Sequence, residues 1–121
     1  MSPASSRRRI LVADDDVRAA LRLATLLGEL GHDVQVTHDG HAAVEAASIN
    51  RPQVALLELG MRGVDGFGVV QRLRRDLRLA HVRFVAMGAP DDRQRSLAAG
   101  FNEHLAKPVA AERLREMLAR F

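Results

Sequence analysis

The sequence predicts an α/β fold in which a doubly wound sheet of five parallel strands carries five helices on its two faces. Three observations lead to this prediction. Short apolar runs alternate with amphipathic segments along the 121 residues, and this order produces parallel strands joined by right-handed crossovers. Residues 54–59 read V-A-L-L-E-L between Pro52 and Gly60, which is typical of a central strand buried on both faces. Turn-forming residues separate the segments at short intervals.

The composition is that of one globular domain. Hydrophobic residues make up 47% and charged residues 27% of the chain, which is ordinary for a folded domain of this length. We expect residues 1–8 to form a flexible N-terminal tail and residues 9–121 to form the domain. The absence of cysteine excludes disulfides and cysteine-based metal sites.

Charge and hydropathy limit the cellular environment and the classes of partner that we expect for this chain. The chain has no long apolar stretch and no signal-peptide pattern, from which we expect a cytoplasmic protein that does not bind membranes. The net charge is only +3, and there is no Trp or Tyr. Neither the charge nor the aromatic content therefore favours a nucleic-acid partner.

The first strand is predicted over residues 10–13. Asp16 is a good N-cap for the helix that follows, and Gly31 is the signal for its C-terminal end. Apolar residues recur along this helix with a period near 3.6, which predicts one buried face. The residues assigned to that face are Val17, Ala20, Leu21, Ala24, Leu27 and Leu30.

Residues 33–37 alternate between polar and apolar, which predicts an edge strand. An Ala-rich helix begins at Gly40 and runs to about Asn50, since Pro52 disfavours a helical conformation in the residue before it. The central strand at residues 54–59 then follows.

The third helix is predicted from Gly66 to about Leu77. Its expected inward-facing residues are Phe67, Val70, Leu73 and Leu77. Its opposite face is basic, and we interpret this face as solvated. The basic residues are Arg72, Arg74, Arg75 and Arg78.

The last third of the chain completes the alternation. Residues 84–87 form the fourth strand, residues 91–99 a short helix that ends at Gly100, and residues 103–106 the fifth strand. Residues 110–121 form the last helix, whose buried face is expected to contain four apolar side chains. These are Leu114, Met117, Leu118 and Phe121.

Charged residues stand where three of the predicted strands end: Asp14 and Asp15, Glu58, and Lys107. Because parallel strands end at one edge of the sheet, we expect these side chains to meet there. Three carboxylates beside one ammonium group must bind a cation, raise a carboxyl pKa or extend into water. Oxygen ligands of this kind suit Mg²⁺, which is the candidate cofactor. The alternative is three solvated strand ends that never meet.

Two smaller features have simpler interpretations. His38 and His41 are close in sequence, but two histidines without a third ligand make a poor metal site. Asp91 and Asp92 are best explained as the cap and first-turn charges of the fourth helix.

Taken together, these segments resemble the receiver domain of two-component response regulators, with a fold similar to that of the chemotaxis response regulator. The resemblance covers the chain from about Arg8 and implies the flavodoxin-like strand order 2-1-3-4-5. The segments that carry it, besides the last helix, are I-L-V-A-D-D-D, H-D-G-H-A-A-V-E-A-A, V-A-L-L-E-L-G-M-R-G-V-D-G-F and A-A-G-F-N-E-H-L-A-K-P-V.

The resemblance implies roles for the charged residues. Asp14 and Asp15 stand where the family binds Mg²⁺, and Glu58 and Gly60 complete the implied ligand set. Glu58 also stands at the position of the phosphoaccepting Asp, and Lys107 at that of the phosphate-sensing Lys.

Four positions depart from the family pattern or bear on it. Glu58 replaces the phosphoacceptor Asp, Gly88 replaces the switch Ser or Thr, and Arg62 replaces a common Pro. The segment after Gly88 is also short by one or two residues. His104 stands at the position of the family's rotating aromatic, where some ordinary receivers also have His.

These departures have physical consequences. The extra methylene of Glu58 moves its carboxylate by roughly 1 to 1.5 Å, on the scale of one C–C bond, and a misplacement of about 1 Å can cost on the order of a hundredfold in rate. Gly88 lacks a hydroxyl, and a hydrogen bond to a charged group contributes about 1.5–3 kcal/mol. Full reversal of a two-state population requires about 5.5 kcal/mol.

We therefore interpret the chain as a degenerate pseudo-receiver and not an enzyme, acting by contact with a protein partner such as a sensor kinase or an output domain. The resemblance implies a partner surface that includes His104, Val109, Ala110 and Arg113, on a monomer or weak dimer. Two alternatives stay open: a working Mg²⁺-dependent phosphoacceptor and a small Mg²⁺-dependent phosphohydrolase. Glu58 is either a mimic of the phosphoryl group or a structural ion-pair partner.

Overall fold

A computed structural model describes residues 7–121 of the chain. Most of the predicted tail, residues 1–6, lies outside the described residues. Arg7 pairs with Asp33. The guanidinium group of Arg8 donates hydrogen bonds to the carbonyl oxygens of Leu118 and Phe121. Both arginines thus contact the folded part of the chain.

All five strands are parallel and lie in the order β2-β1-β3-β4-β5, which confirms the predicted topology. Ala13 pairs with Thr37 on one side and Leu57 on the other, so the C-terminal ends of neighbouring strands are level. The strands are β1 (Arg9–Ala13), β2 (Asp33–Thr37), β3 (Val54–Glu58), β4 (Arg83–Gly88) and β5 (Glu103–Ala106).

Five α-helices cover the two faces of the sheet. They are α1 (Val17–Glu29), α2 (Gly40–Asn50), α3 (Gly66–Arg74), α4 (Arg93–Ala98) and α5 (Ala111–Ala119). Side chains of α1 and α5 pack in one apolar core, and those of α2 and α3 pack in another. Successive residues of β3 contribute to opposite cores: Leu56 to the first and Leu57 to the second. The predicted doubly wound arrangement is therefore confirmed.

Aspartates begin three of the helices. Asp16 accepts hydrogen bonds from the first-turn amides of α1, as predicted, while Asp39 and Asp65 do the same for α2 and α3. Each such cap typically contributes about 1 kcal/mol. Asp92 occupies the N-cap position of α4, but its side chain makes no cap hydrogen bond, so the predicted cap is wrong in that respect.

The buried face of α1 differs from the prediction. Ala20 and Leu27 are buried as predicted, and Leu23 is buried although it was not predicted to be. Val17, Leu21 and Leu30 are instead 59%, 64% and 40% exposed. Ala20, Leu23 and Leu27 recur at the spacing of a single helical face, and packing against the sheet buries that face.

The end of α3 also differs. The helix stops at Arg74, and Asp76 caps a separate 3₁₀ turn, Leu77–Leu79. Leu77 is therefore 87% exposed, and Leu79 is buried in its place. A second 3₁₀ turn, Pro90–Asp92, precedes α4 and shortens the helix predicted there.

The arginine face of α3 is solvated only in part. Arg74 donates hydrogen bonds to the Gly100 carbonyl oxygen at 3.1 and 2.9 Å and to the Asn102 side chain at 2.7 Å. Its guanidinium group also lies 4.5 Å from the centre of the Phe84 ring. Arg74 thus ties α3 to the segment between α4 and β5, which corrects its predicted role.

Candidate functional site

The four predicted charged residues meet at the C-terminal edge of the sheet. Lys107 Nζ lies 2.9 Å from Asp14 Oδ2 and 2.7 Å from Glu58 Oε1. One carboxylate oxygen each from Asp14, Asp15 and Glu58 lies within 4.8 Å of the others. The predicted convergence is therefore present, and the alternative of separate solvated strand ends is excluded.

Backbone geometry fixes Asp14 and Lys107. Asp14 follows β1 directly, is fully buried, and its Oδ1 accepts a hydrogen bond from the Asp16 amide at 2.9 Å. The Lys107 amide donates to the Gly88 carbonyl oxygen at 3.0 Å, which continues the β4–β5 pairing for one residue. The Lys107–Pro108 peptide bond is cis. Both charged side chains therefore start from ordered strand ends.

Glu58 is the last residue of β3, and its second carboxylate oxygen accepts a hydrogen bond from the Asp15 amide at 3.3 Å. The first turn of α3 lies directly against this strand end. A Cβ atom at residue 66 would be only 2.5 Å from the Glu58 carbonyl oxygen, so this position requires glycine. Gly66 thus lets α3 begin close to the site.

The cluster has unusual electrostatics. Burial, reinforced by hydrogen bonding to Asp14, raises the pKa of Glu58 to about 7, although the hydrogen bond from Lys107 acts in the opposite direction. For Lys107, burial lowers the pKa, but hydrogen bonds to Glu58 and Asp14 outweigh it and raise the pKa overall. One ammonium group cannot neutralise three carboxylates, so a proton or another cation is favoured here.

Gly88, the predicted phosphate-sensing partner of Lys107, lies at the end of β4 and is half-buried. The space beside it is occupied by the side chain of Leu59, which is 5% exposed. A Cβ atom at residue 88 would lie 2.8 Å from Leu59 Cδ1. An apolar side chain therefore fills the space into which a side chain at residue 88 would point, and no pattern in the sequence indicates this contact.

His104 is held by two hydrogen bonds. Its Nε2 lies 2.9 Å from the Ala89 carbonyl oxygen, and its Nδ1 lies 3.0 Å from Ser96 Oγ. Because a carbonyl oxygen can only accept, Nε2 carries the proton of that bond. Ser96 is fully buried, and its single hydroxyl proton is shared between Nδ1 and the Arg93 carbonyl oxygen, which lies 2.8 Å from Oγ. The ring therefore links β5, α4 and the segment before α4, and sequence reasoning missed Ser96.

The other residues of the implied partner surface differ in exposure. Ala110 and Arg113 are exposed and line a cleft of about 500 Å³ together with His104. Val109 is 4% exposed and packs in the core with α1 and α5. Its side chain is therefore not part of that surface, which corrects the prediction.

The remaining candidates lie around the acidic cluster. Arg62 Nε is 3.7 Å from Asp15 Oδ2, and Gly60 is exposed in the loop after Glu58. His38 Nδ1 lies 3.0 Å from the Asp14 carbonyl oxygen. Within residues 7–121, Asp14, Asp15 and Glu58 are the only group of three potential metal ligands, so the two histidines do not form a second one.

Comparison with known proteins decides the family. The family model for the response regulator receiver domain matches residues 10–119 of this chain. The chain belongs to this family. Within this fold, Glu58 is the last residue of β3, and Lys107 directly follows β5.

Relatives of this receiver domain include regulators and kinases. It is 37% identical over 115 residues to the DNA-binding dual master transcriptional regulator RpaA of Synechocystis, covering 93% of this chain and 46% of that protein. It is 34% identical over 111 residues to the sensor histidine kinase RcsC of Salmonella typhi, covering 91% of this chain and 12% of that protein. The chain thus spans at most about half of the curated relatives it matches.

Solved structures with the same fold include two kinase receiver domains. The receiver domain of the sensor histidine kinase PA1611 from Pseudomonas aeruginosa, with magnesium coordinated in its active site cleft, superposes with a TM-score of 0.86. It is 28% identical, over 93% of this chain and 95% of that one. The receiver domain of a histidine kinase from Syntrophus aciditrophicus gives a TM-score of 0.85 at 25% identity, over 93% and 88%.

Two general properties follow from the family. Receiver domains act in two-component signalling by interacting with kinases or output domains, and they bind Mg²⁺ at an acidic site. Among residues 7–121, no helix is long and apolar enough to span a bilayer.

Proposed function

We propose that this chain is a pseudo-receiver of a two-component system, which acts by protein–protein contact and does not accept a phosphoryl group on Glu58. The observation that carries the proposal is the 2.7 Å ion pair between Glu58 and Lys107. The ammonium group that stands at the family's phosphate-sensing position already binds two carboxylates of this chain.

The neighbourhood of Gly88 supports this proposal. Switching in the family uses a hydroxyl that bonds the phosphoryl group, and residue 88 has none. Leu59 fills the adjacent space. A charged hydrogen bond worth about 1.5–3 kcal/mol is thus missing from a population shift that needs about 5.5 kcal/mol.

The acidic cluster fits Mg²⁺. Asp14, Asp15 and Glu58 offer carboxylate oxygens within 4.8 Å of one another, and hard oxygen ligands are those that Mg²⁺ binds. The Gly60 carbonyl is the further ligand implied by the family. Bound Mg²⁺ would supply charge neutralisation in addition to that of Lys107, which pairs with Asp14 and Glu58.

Glu58 has two possible roles in a pseudo-receiver. As a phosphoryl mimic it would hold a constitutive state, and as an ion-pair partner it would only stabilise the strand edge. Its carboxylate contacts Lys107 and the Asp15 amide, and there is no hydroxyl at residue 88 for it to attract. We favour the ion-pair role because the mimic has no switch group to act on.

A second candidate function is a working phosphoacceptor. It is supported by the acid pair and lysine that this chain has in place and by the magnesium ion in the Pseudomonas relative. Catalysis of phosphoryl transfer depends mainly on positioning and charge neutralisation, so the displaced carboxylate of Glu58 argues against it. A phosphohydrolase activity has no additional support.

Incubation with acetyl phosphate and Mg²⁺, followed by intact mass measurement, tests the proposal. We expect no phosphoryl adduct on the natural sequence and an adduct on Glu58→Asp, which returns the carboxylate to the shorter reach. An adduct that forms on the natural sequence and disappears in Glu58→Gln would establish the second candidate. Turnover of p-nitrophenyl phosphate, which we do not expect, would indicate the phosphohydrolase.

A further inference from the structure

One end of the molecule collects unpaired arginines. In a doubly wound fold each helix runs back along the sheet, so the helices end beside the first residues of the strands. Arg51 and Arg75 directly follow α2 and α3, while Arg9 and Arg83 begin β1 and β4. All four side chains are exposed, and none forms an ion pair within residues 7–121. We call the region that these four residues define the basic end.

The acids near the basic end do not cancel its charge, because most of them are already paired. These pairs are Arg7 with Asp33, Arg78 with Asp76 and Arg120 with Glu103. Glu29 is exposed at the end of α1 and has no arginine or lysine partner in the described part of the chain. The charges that are left over at this end are therefore mainly positive.

Backbone contacts hold three of these arginines close together. Arg9 Nη2 donates a hydrogen bond to the Arg51 carbonyl oxygen at 3.0 Å. The Gln53 amide donates to the Arg9 carbonyl oxygen at 2.8 Å, and the Gln53 carbonyl oxygen accepts from the Arg83 amide at 3.0 Å. Arg51 has a φ of 45°, a left-handed conformation that favours glycine, so the backbone does not explain an arginine there. The basic end thus concentrates positive charge at ordered positions.

Exposed apolar side chains lie at the same end. Leu30 directly follows α1, Ile49 is the residue before the last one of α2, and Leu77 lies in the 3₁₀ turn after α3. They are 40%, 69% and 87% exposed. Apolar side chains among arginines can enter the boundary between the headgroups and acyl chains of a bilayer, whereas binding to the phosphates of a nucleic acid needs charge alone. The combination therefore favours a membrane surface.

We propose that the basic end binds the surface of an anionic membrane, with its arginines on the lipid headgroups and with Leu30, Ile49 and Leu77 in the interface. Arginine presents a planar set of donors that matches phosphate and carboxylate groups. From the sequence we expected no membrane binding, because the chain has no long apolar stretch. The residues of the basic end are dispersed in sequence and meet only in the fold.

The opposite edge of the sheet gives this binding a direction. It holds the carboxylates of Asp14, Asp15 and Glu58 and the aspartates that begin α1, α2 and α3. An anionic surface attracts the basic end and repels this acidic edge. Glu58 would therefore face away from the bilayer, and membrane binding does not depend on whether Glu58 accepts a phosphoryl group.

Co-sedimentation of the 121-residue chain with lipid vesicles tests the proposal. We expect binding to vesicles of equal parts phosphatidylserine and phosphatidylcholine, and this binding should weaken as salt is added. Vesicles of phosphatidylcholine alone should not bind the protein. No binding to the mixed vesicles, or equal binding to both kinds, would overturn the proposal.

Matched arginine variants locate the binding surface. Arg51→Gln/Arg75→Gln should weaken binding to the mixed vesicles about tenfold or more, since each arginine near an anionic surface contributes roughly fivefold. Arg18→Gln/Arg93→Gln makes the same change in net charge at exposed residues near the starts of α1 and α4 and should alter binding by less than about twofold. Equal losses in both variants would mean attraction by net charge alone and would contradict the role of the basic end. Circular dichroism melts confirm that the variants fold.

Apolar variants distinguish a bilayer from a nucleic acid. Ile49→Ser/Leu77→Ser should weaken vesicle binding about fivefold or more. Val17→Ser/Leu21→Ser changes two side chains of α1 that are 59% and 64% exposed and should alter it by less than about twofold. A short DNA duplex is the second probe. Duplex binding that is stronger than vesicle binding and unchanged in Ile49→Ser/Leu77→Ser would assign the basic end to nucleic acids and overturn the proposal.

Discussion

Glu58 is one methylene longer than Asp, and its carboxylate lies 2.7 Å from the Lys107 ammonium group. The same carboxylate also shares the site with Asp14, which is fully buried. Burial and the hydrogen bond to Asp14 hold the pKa of Glu58 near 7 in spite of the nearby lysine. The residue is therefore placed where its charge is both attracted and repelled.

This balance predicts a pH-dependent stability. The pKa of Glu58 rises from its ordinary 4.5 to about 7 on folding, so between these values the folded state binds more protons than the unfolded state. The free energy of unfolding contributed by this carboxyl therefore falls as the pH rises through that window. Urea denaturation in EDTA across the window should show a smaller fall for Glu58→Gln than for the natural sequence.

Glu45→Gln provides the control for that experiment, because Glu45 is an exposed acid on α2 and far from the cluster in sequence. Its stability should follow the pH profile of the natural sequence. If Glu58→Gln also follows that profile, Glu58 does not take up a proton on folding.

Gly88 is the second residue whose identity can be tested directly. In a Glu58→Asp background, we expect Gly88→Ser to couple phosphorylation to His104, because it supplies the missing hydroxyl. Gly88→Ala is the matched control: its Cβ atom meets the same Leu59 Cδ1, at 2.8 Å, but it has no hydroxyl. Since that atom is the end of a flexible side chain, both substitutions should cost about 1 kcal/mol of stability.

The readout is the NMR shift of the His104 amide after treatment with acetyl phosphate and Mg²⁺. A change in the Ser variant well above that in the Ala variant is the expected result. Equal changes in the two variants would show that the hydroxyl is not what communicates the phosphoryl group.

At the scale of secondary-structure elements, single polar side chains hold the helices in position around the sheet. Arg74 joins α3 to the segment before β5 through Gly100 and Asn102. Ser96 joins α4 to β5 through His104. The first contact fixes α3 and the second fixes α4 relative to the last strand, although neither residue belongs to the acidic cluster.

Replacing Arg74 tests how much such a contact contributes. Arg74→Leu removes hydrogen bonds to Gly100 and Asn102 and the stacking on Phe84. We expect a loss of about 2–3 kcal/mol in the free energy of unfolding. Arg72→Leu, the same substitution on an exposed residue of α3, should change it by less than about 0.5 kcal/mol. Urea denaturation of both variants measures these losses. Equal losses would contradict the expected contribution of the Arg74 contacts to stability.

The bounds of helices and strands could be predicted wherever residues near their ends determine them. The bounds of β2, α2 and β5 are as predicted, because local signals mark their ends: alternation for β2, Pro52 for α2 and Pro108 for β5. The buried face of α1 and the end of α3 could not be predicted correctly from the sequence, since both depend on packing against the sheet. The exposure of Leu77 follows from the Asp76 cap, which competes with continuation of the helix.

At the scale of the whole molecule, the acidic site was predictable because parallel strands bring their C-terminal ends to one edge. Asp14, Glu58 and Lys107 are far apart in sequence, yet topology alone places them together. The contacts of Leu59 with Gly88 and of Ser96 with His104 were not predictable. They depend on side-chain positions that no local pattern encodes.

Magnesium binding is the prediction that involves the whole fold, because its ligands come from the ends of different strands. If the three carboxylates bind Mg²⁺, the ion stabilises only the folded state, by about 2.7 kcal/mol at a concentration a hundredfold above Kd. Melting of the natural sequence should therefore shift upward as Mg²⁺ is added. Asp15→Asn should reduce this shift because it removes one ligand charge, while Asp91→Asn, an exposed acid before α4, should not. Equal shifts in all three proteins would place the effect of Mg²⁺ outside the acidic cluster, and no shift in the natural sequence would mean that the three carboxylates do not bind Mg²⁺.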